Sequence, residues 1–531
     1  MSEINDPQIG KDVIESLTLG MYEDCRFIYR EYIQNAADQV DKAIEMGLMS
    51  KGEEEIHVEI DTYERRIIVE DNATGIPQEN VVPILRNIAH STKKRGIDKG
   101  FRGIGRLGGL GYCSKLRFET SYKGENVKSV MTWDAELLKF IINDRENIEE
   151  AVDVLKRVTE TQTFNEDVDK HYFRVIMEDV TSEDLLDVNS VQEYLSMVAP
   201  VDIISSFIFR NKIKEFMKEN GLSVDTYNIY INGDQIYKPY TNAIYEDNNG
   251  GKKKVDDILD VDFLLKKDAN DEIIYWGWYT LSGLNGQMKP KNIARGLRLR
   301  KENIQIGDEE ICKKFFTKTE DQRFSFYYFG EIHAVNKDLI PNSRRDYFGE
   351  NSMCTEFERL IKSDFLKLKD LCYDVQKVRS SIKAITKGVE LRKKIKEKDT
   401  TGYTSPKERD ELQRQFEEHI KKEEQARRQL DNMTKKIDDT NSPLKDIISN
   451  LTSSVKEQYK NRGEEQVWQH QAISQNKTKS TKYRTDKPCY SRYSKQEKKL
   501  IGKIYASIAN IIADEAQREV LISKIEEDIT K

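Results

Sequence analysis

Hydrophobic and polar positions change period several times along the chain, and each change predicts an element. Between residues 21 and 49, Phe27, Ile28, Ile33, Ala36, Ala37, Val40 and Ile44 recur near helical spacing, which predicts one helix closing near Gly47. From Ile56 to Asp71 the period drops to two, as in a pair of strands joined by a turn at 62–65. DNATGIP (71–77) reads as a loop, and ENVVPILRNIAHS (79–91) as a helix despite Pro83. Residues 92–111 are rich in Gly, Lys and Arg and are expected to be mobile. Further strands are predicted at 115–122, 129–134 and 172–180. This order predicts an α/β sandwich, with helices on one face of a mixed sheet, over residues 1–184.

The pattern shifts near residue 185, and residues 185–354 read as a second α/β domain. It has a helical stretch at 189–222 and a hairpin at 228–240 with Asn232–Gly233 at its turn. A polar insert, EDNNGGKKK (246–254), precedes strands at 272–281, 296–307 and 323–335. Over 355–440, Phe357, Leu360, Ile361, Phe365, Leu368, Leu371 and Val375 step by threes and fours, and TTGYTSP (400–406) interrupts the run. That predicts an antiparallel helical hairpin or coiled coil. Residues 441–490 read as a polar linker region. Residues 491–531 read as a helical pair with an apolar stripe of Leu500, Ile504, Ile508, Ile511 and Ile512.

Composition narrows the class. With 37% hydrophobic and 34% charged residues, the chain suits a soluble, helix-rich protein. A net charge of −7 argues against a chain that coats nucleic acid along its whole length. The six cysteines are scattered, so a cytoplasmic setting without a disulfide framework or zinc site is expected. No run of eighteen apolar residues occurs, so no membrane span is expected.

Three clusters carry candidate chemistry. In EYIQNAAD, Glu31 and Asn35 are four apart and share a helix face. A carboxylate there can orient a water, and an amide oxygen can ligate magnesium. Asp71 ends a strand, where it can accept a hydrogen bond from an exocyclic amine, and Gly75 lets the backbone approach a flat ring. In GFRGIGRLGGLG, six glycines in twelve residues present backbone amides that can wrap a polyphosphate. Each cluster alone also fits a plainer role: an exposed polar helix face, an ordinary turn, a flexible linker.

The three in this order, within about eighty residues, resemble the nucleotide site of the GHKL superfamily, which includes DNA gyrase B, heat-shock protein 90, histidine kinases, MutL and MORC proteins. RFIYREYIQNAADQVDKA is similar to its first helix and DNATGIP to its adenine loop; IAHSTKK, with Lys93, and GFRGIGRLGGLGY are similar to its lid and second glycine box. The resemblance is clear over 21–120 and weaker to about 180. It implies the Bergerat α/β sandwich, ATP and Mg2+ as ligands, and ATP hydrolysis. It also implies roles: Glu31 as general base, Asn35 on magnesium and Asp71 on adenine. Asp38 and Gly75 would line the base pocket, and Lys93, Gly103, Gly105, Gly108, Gly109 and Gly111 would hold phosphates. Glu31 favours hydrolysis over phosphotransfer, because histidine kinases usually lack that base. Two positions depart from the family: Ala73 stands where Gly is common, and the late strand HYFRVIM lacks the Gly-Thr pair that touches adenine, leaving Thr161 or Thr163 as substitutes.

The resemblance extends to DLIPNSRRDYF (338–348), similar to the chaperone middle-domain, transducer-like loop that presents an arginine to the γ-phosphate. Arg344 is the nearest match and Arg345 the next. Arg298 and Arg300 alternate in GLRLRK, on a face that meets nucleic acid, the nucleotide domain or water. The superfamily implies a homodimer, with the C-terminal helices as its permanent contact or as an intramolecular cap. Three roles follow: an ATP-gated clamp on DNA in genome maintenance or antiviral defence, a chaperone-like remodeller of protein clients, or a regulatory ATPase working with an effector subunit.

Overall fold

The computed structural model describes residues 9–18, 24–88, 105–144, 146–248, 251–342, 344–438, 444–461, 490–511 and 515–530. The chain divides into two compact units, one of residues 1–385 and 417–451 and the other of 386–416 and 452–531.

The first unit begins with helices α1 (Asp12–Thr18) and α2 (Phe27–Glu45). Strands β1 (Ile56–Asp61) and β2 (Arg66–Asp71) form the expected hairpin, pairing from Ile56↔Asp71 to Asp61↔Arg66. Each alternates buried and open positions, so the sheet buries one face. Helix α3 (Gln78–Leu85) follows and carries Pro83 inside it. Residues Gly105–Gly111 form an ordered 3₁₀ helix, where the glycine content had suggested mobility. Strands β3 (Lys115–Ser121) and β4 (Val127–Asp134) come next, then helices α4 (Ala135–Asn143) and α5 (Ala151–Val158) and strands β5 (Thr159–Asn165) and β6 (Tyr172–Glu178). The sequence reading missed β5 because this edge strand is almost wholly exposed and lacks an apolar alternation.

The stretch 189–222 is not one helix. After the short α6 (Glu183–Leu186), α7 (Val188–Val198) stops two residues before Pro200, and α8 (Arg210–Glu219) starts afresh. A residue before proline is pushed out of helical geometry, which accounts for the break. Strands β7 (Ile229–Ile231) and β8 (Asp234–Gln235) turn at Asn232 and Gly233, both with positive φ, as the Asn-Gly pair predicts. This hairpin joins the N-terminal sheet, because β7 runs parallel to β1. The strand order is β5-β4-β3-β6-β2-β1-β7-β8.

A second sheet follows, ordered β13-β12-β14-β11-β10-β9. Its strands are β9 (Ala243–Asn248), β10 (Gly251–Lys267), β11 (Ile273–Ser282), β12 (Gly296–Lys301), β13 (Ile304–Gln305) and β14 (Phe329–Ala334). The polar insert is therefore not a detour: Lys252–Lys254 pair with Tyr245–Asp247 as two strand arms. All six residues of β12 and of β14 are buried, so Arg298 and Arg300 form no nucleic-acid face. Arg300 is fully buried, with Nε 2.7 Å from Glu331 Oε1 and Nη2 donating to the Met197 carbonyl at 2.6 Å. Lys238, Tyr240 and His333 also meet Glu331, at 2.9, 2.9 and 3.0 Å. Charges removed from water persist only when paired in this way. The surrounding cations hold the Glu331 carboxyl well below the usual range despite its burial.

Helices α9 (Ser352–Thr401) and α10 (Pro406–Asp438) form the expected hairpin. In the first unit, Ser381 bonds Gln429 and Ala384 meets His419, so rising numbers face falling ones and the helices are antiparallel. Phe357, Ile361, Phe365, Leu368, Cys372 and Val375 are buried, and Phe357, Phe365, Leu368 and Cys372 meet Tyr275, Phe315 and Tyr328 of the second-sheet region rather than α10. Polar composition concealed α11 (Leu444–Asn461), which is anchored by buried Leu444, Ile447 and Ile448. In the second unit, α12 (Lys495–Ile511) and α13 (Glu515–Thr530) close over Tyr490, Tyr505 and Ile522. The inward face of α12 carries Ile501, Tyr505 and Ile508, whereas Leu500 and Ile504 of the expected stripe are exposed. Ile512 and residues 462–489 of the expected linker lie outside the described residues. Among the described residues no helix is long and apolar enough to cross a membrane.

Candidate nucleotide site

Helix α2 lies against the sheet so deeply that every residue from Phe27 to Val40 is buried except Glu31, Asn35 and Gln39. These three are spaced by four, so they form one open stripe on an otherwise enclosed helix. Asp38 is buried beside it. The sequence placed Glu31 and Asn35 together but overlooked Gln39, which the same spacing would have found.

The loop after β2 docks onto this stripe. The Thr74 hydroxyl donates to Gln39 Oε1 at 3.0 Å. The Ala73 amide donates to Asp71 Oδ1 at 3.1 Å, and the Ile76 amide donates to Thr120 Oγ1 at 2.8 Å. Gly75 has φ +67°, and a Cβ there would fall 1.8 Å from the Ser121 carbonyl oxygen, so only glycine fits. Asp71 is 3% exposed, and burial pushes its carboxyl up to about 8. A buried acceptor in that state rewards a ligand that brings a donor to it.

The two threonines proposed as adenine contacts are out of reach. Thr161 and Thr163 are on β5, four strands from β2, a span of roughly 19 Å at ordinary strand spacing. His171, immediately before β6, occupies the neighbourhood instead, with Nδ1 2.7 Å from the Ala73 carbonyl. A carbonyl only accepts, so Nδ1 carries the proton in this contact.

The 3₁₀ helix packs onto α2 through its glycines. A Cβ on Gly105 would lie 2.3 Å from Glu31 Oε2. The Gly109 amide donates to the Tyr32 hydroxyl at 3.1 Å, and Gly108 sits against the Phe27 ring. Gly108 and Gly109 are thus buried in packing, Gly111 closes the helix half-exposed, and Gly105 alone of this group borders the open stripe. Lys93 and Gly103 lie outside the described residues.

The loop 338–348 reaches the same stripe, with the order of its arginines reversed from the expectation. Arg344 is exposed and contributes its carbonyl, which accepts from Arg30 Nη2 at 3.4 Å. Arg345 is buried, with Nε 4.0 Å from Glu31 Oε1, and Arg30 Nη2 is 3.5 Å from the same oxygen. Arg345 adopts φ +54°, an uncommon conformation for a side-chain-bearing residue, held where the loop meets α2. Burial lowers the pKa of its guanidinium, yet arginine remains a cation at neutral pH.

Among the described residues no group of three His, Cys, Asp or Glu side chains is arranged to hold a metal. Beside the Glu31 carboxylate the open stripe supplies the amide of Asn35; its other amide, Gln39, accepts from Thr74. That donor set fits a magnesium ion carried mainly by triphosphate oxygens, since Mg2+ typically takes few protein ligands at such sites.

Known proteins share this segment. Residues 28–164 match the family described as histidine kinase-, DNA gyrase B-, and HSP90-like ATPase. Over 163 residues the chain is 25% identical to chaperone protein HtpG of Rickettsia typhi, covering 27% of this chain and 25% of that protein. The chain therefore spans about a quarter of that relative's length. Helix, adenine-type loop and glycine box fall within or next to the matched segment, so the segment 28–164 is similar to the ATPase domain of the GHKL superfamily.

Proposed function

We propose that the chain binds Mg-ATP at the α2 stripe and hydrolyses it. The carrying observation is the convergence of Glu31 and Arg345, from elements more than three hundred residues apart, on one open site. In this reading Glu31 orients the attacking water and Asn35 ligates magnesium. Asp71 accepts from the adenine amine, and Asp38 and Gly75 shape the base pocket. Gly105 lets the glycine helix approach Glu31, while Gly103, Gly111 and Lys93 serve the phosphates. Arg345, rather than Arg344, supplies the cation that stabilises charge developing on the γ-phosphate.

The ATP cycle serves as a switch, and a homodimer is its expected form. Burial of Arg298 and Arg300 removes the surface that pointed to DNA. The similarity to a chaperone favours a protein client, with an effector subunit as the other partner class. ATP turnover and nucleotide affinity measured on Glu31→Ala test the central assignment. Affinity is expected to persist while turnover falls by two or more orders of magnitude; normal turnover would sink it.

A further inference from the structure

Arg30 and Arg345, which meet Glu31, also line a cavity of about 530 Å³. Neither Glu31 nor Asn35 nor Asp71 lines it, so it is separate from the nucleotide stripe. The volume falls within the usual range for small-molecule sites, about 300–1,000 Å³. Its walls come from α2, α7, β12, β13 and the loop carrying Arg345.

Charge is sorted by depth. Arg30, Arg298, Arg345 and Gln305 are all at least nine-tenths buried. Of the five acidic lining residues, Asp24, Glu193, Asp308 and Asp346 are exposed at the rim, and Glu309, half-buried, reaches in to Arg298. Between floor and rim lie the apolar Phe27 and Met197, and Tyr194, whose ring carries the Arg26 guanidinium 5.0 Å from its centroid.

Among the described residues, two buried polar atoms on the floor have no hydrogen-bond partner. Arg298 Nη2 donates to the Ile293 carbonyl at 2.7 Å and Nη1 is 3.5 Å from Glu309, but Nε–H meets no acceptor. Gln305 Nε2 donates to the Gly307 carbonyl at 2.9 Å, but Oε1 meets no donor. Buried polar atoms are nearly always satisfied, so these two are candidates for a partner beyond the described residues. An acceptor is wanted at Arg298 and a donor at Gln305, beside buried guanidiniums and under an apolar wall.

The geometry points to a second ligand site that takes a small organic anion. Its carboxylate or phosphate head accepts from Arg298, a hydroxyl or amine donates to Gln305, and an aromatic or aliphatic body fills the wall at Phe27, Tyr194 and Met197. Because Arg30 and Arg345 belong to both places, such a ligand shares its floor with the cations of Glu31.

The test is a calorimetric titration of the full chain with phenyl phosphate and, separately, phenylacetate, each with and without a saturating non-hydrolysable ATP analogue. One probe molecule per chain is expected to bind whether or not the analogue is present, and the preferred probe distinguishes the phosphate from the carboxylate source. Arg298→Met and Gln305→Met are each expected to weaken the probe about tenfold, equivalent to about 1.4 kcal/mol, while keeping the affinity for the analogue, with a cooperative melt confirming that each variant is folded. Absence of saturable binding of either probe to about 10 mM, a range that includes weak complexes, would overturn the site. Displacement of the probe by the analogue would do the same, as would unchanged probe affinity in both folded variants. If the analogue itself fails to bind, the ATP reading falls, and the titration without it still decides this site.

Discussion

Arg345 Nε stands 4.0 Å from Glu31 Oε1, joining a loop near residue 345 to the fifth residue of helix α2. The neighbouring Arg344 is exposed, so two adjacent arginines have opposite fates. This pair separates the two candidates for the γ-phosphate cation. Arg345→Ala is expected to lower kcat by about 10²–10³-fold, the scale of losing one preorganised transition-state contact, with little change in KM. Arg344→Ala should stay within about twofold in steady-state ATPase assays. Equal rates in the two variants would remove Arg345 from the mechanism.

Gly105 gives a test of the base that spares the fold. A Cβ there meets the end of the Glu31 side chain rather than backbone. Gly105→Ala should therefore push the carboxylate aside, cutting turnover at least tenfold while the melting temperature moves little. Loss of stability together with turnover would show that the contact is structural.

Gly75→Ala should behave in the opposite way. The positive φ and the Ser121 carbonyl at 1.8 Å leave no room, and the obstacle is backbone. Destabilisation of about 3 kcal/mol or more is expected, because overpacking and backbone strain add. Nucleotide affinity should fall with it. Denaturant melts and nucleotide titration of the same preparation check both.

The Asp71 carboxyl links stability to pH. Its folded pKa is raised to about 8, whereas an unfolded aspartate titrates near 4. Between those values the unfolded chain releases a proton that the folded chain keeps, so stability falls as pH rises through this window. From pH 6 to pH 8 the loss from this group is on the order of 2 kcal/mol. Asp71→Asn cannot ionise there, so its nucleotide-free melting temperature should fall less than that of the wild type over the same interval. The same variant should bind ATP at least tenfold more weakly. Parallel pH dependences would show that Asp71 is already ionised in the folded protein.

The Glu331 cluster predicts a cost far from the nucleotide. Glu331→Gln leaves Lys238 and Arg300 buried beside a neutral group. Breaking such a buried arrangement costs about 3–5 kcal/mol, measurable by urea denaturation. A variant as stable as the wild type would mean that the cluster relaxes with the loss of its carboxylate.

Local pattern alone settled much of this protein. The 3.6-residue period of α2, the alternation of β1 and β2, the Asn232–Gly233 turn and the break at TTGYTSP all rest on short-range backbone preferences, and the structure forms each of them. The open stripe of α2 was legible for a related reason: Glu31 and Asn35 are one helical turn apart, so their shared face needs no knowledge of the fold. Tertiary structure decided what depends on distant partners. Alternation in GLRLRK reads the same whether a strand lies at a surface or between β13 and β14, so burial of Arg298 and Arg300 was not visible. Thr161 and Thr163 are close in sequence to the late strand, but strand order carries them to the sheet edge and leaves His171 beside the adenine-type loop. The different burial of Arg344 and Arg345 was likewise invisible in the sequence, because the left-handed Arg345 lies inward and its neighbour is exposed.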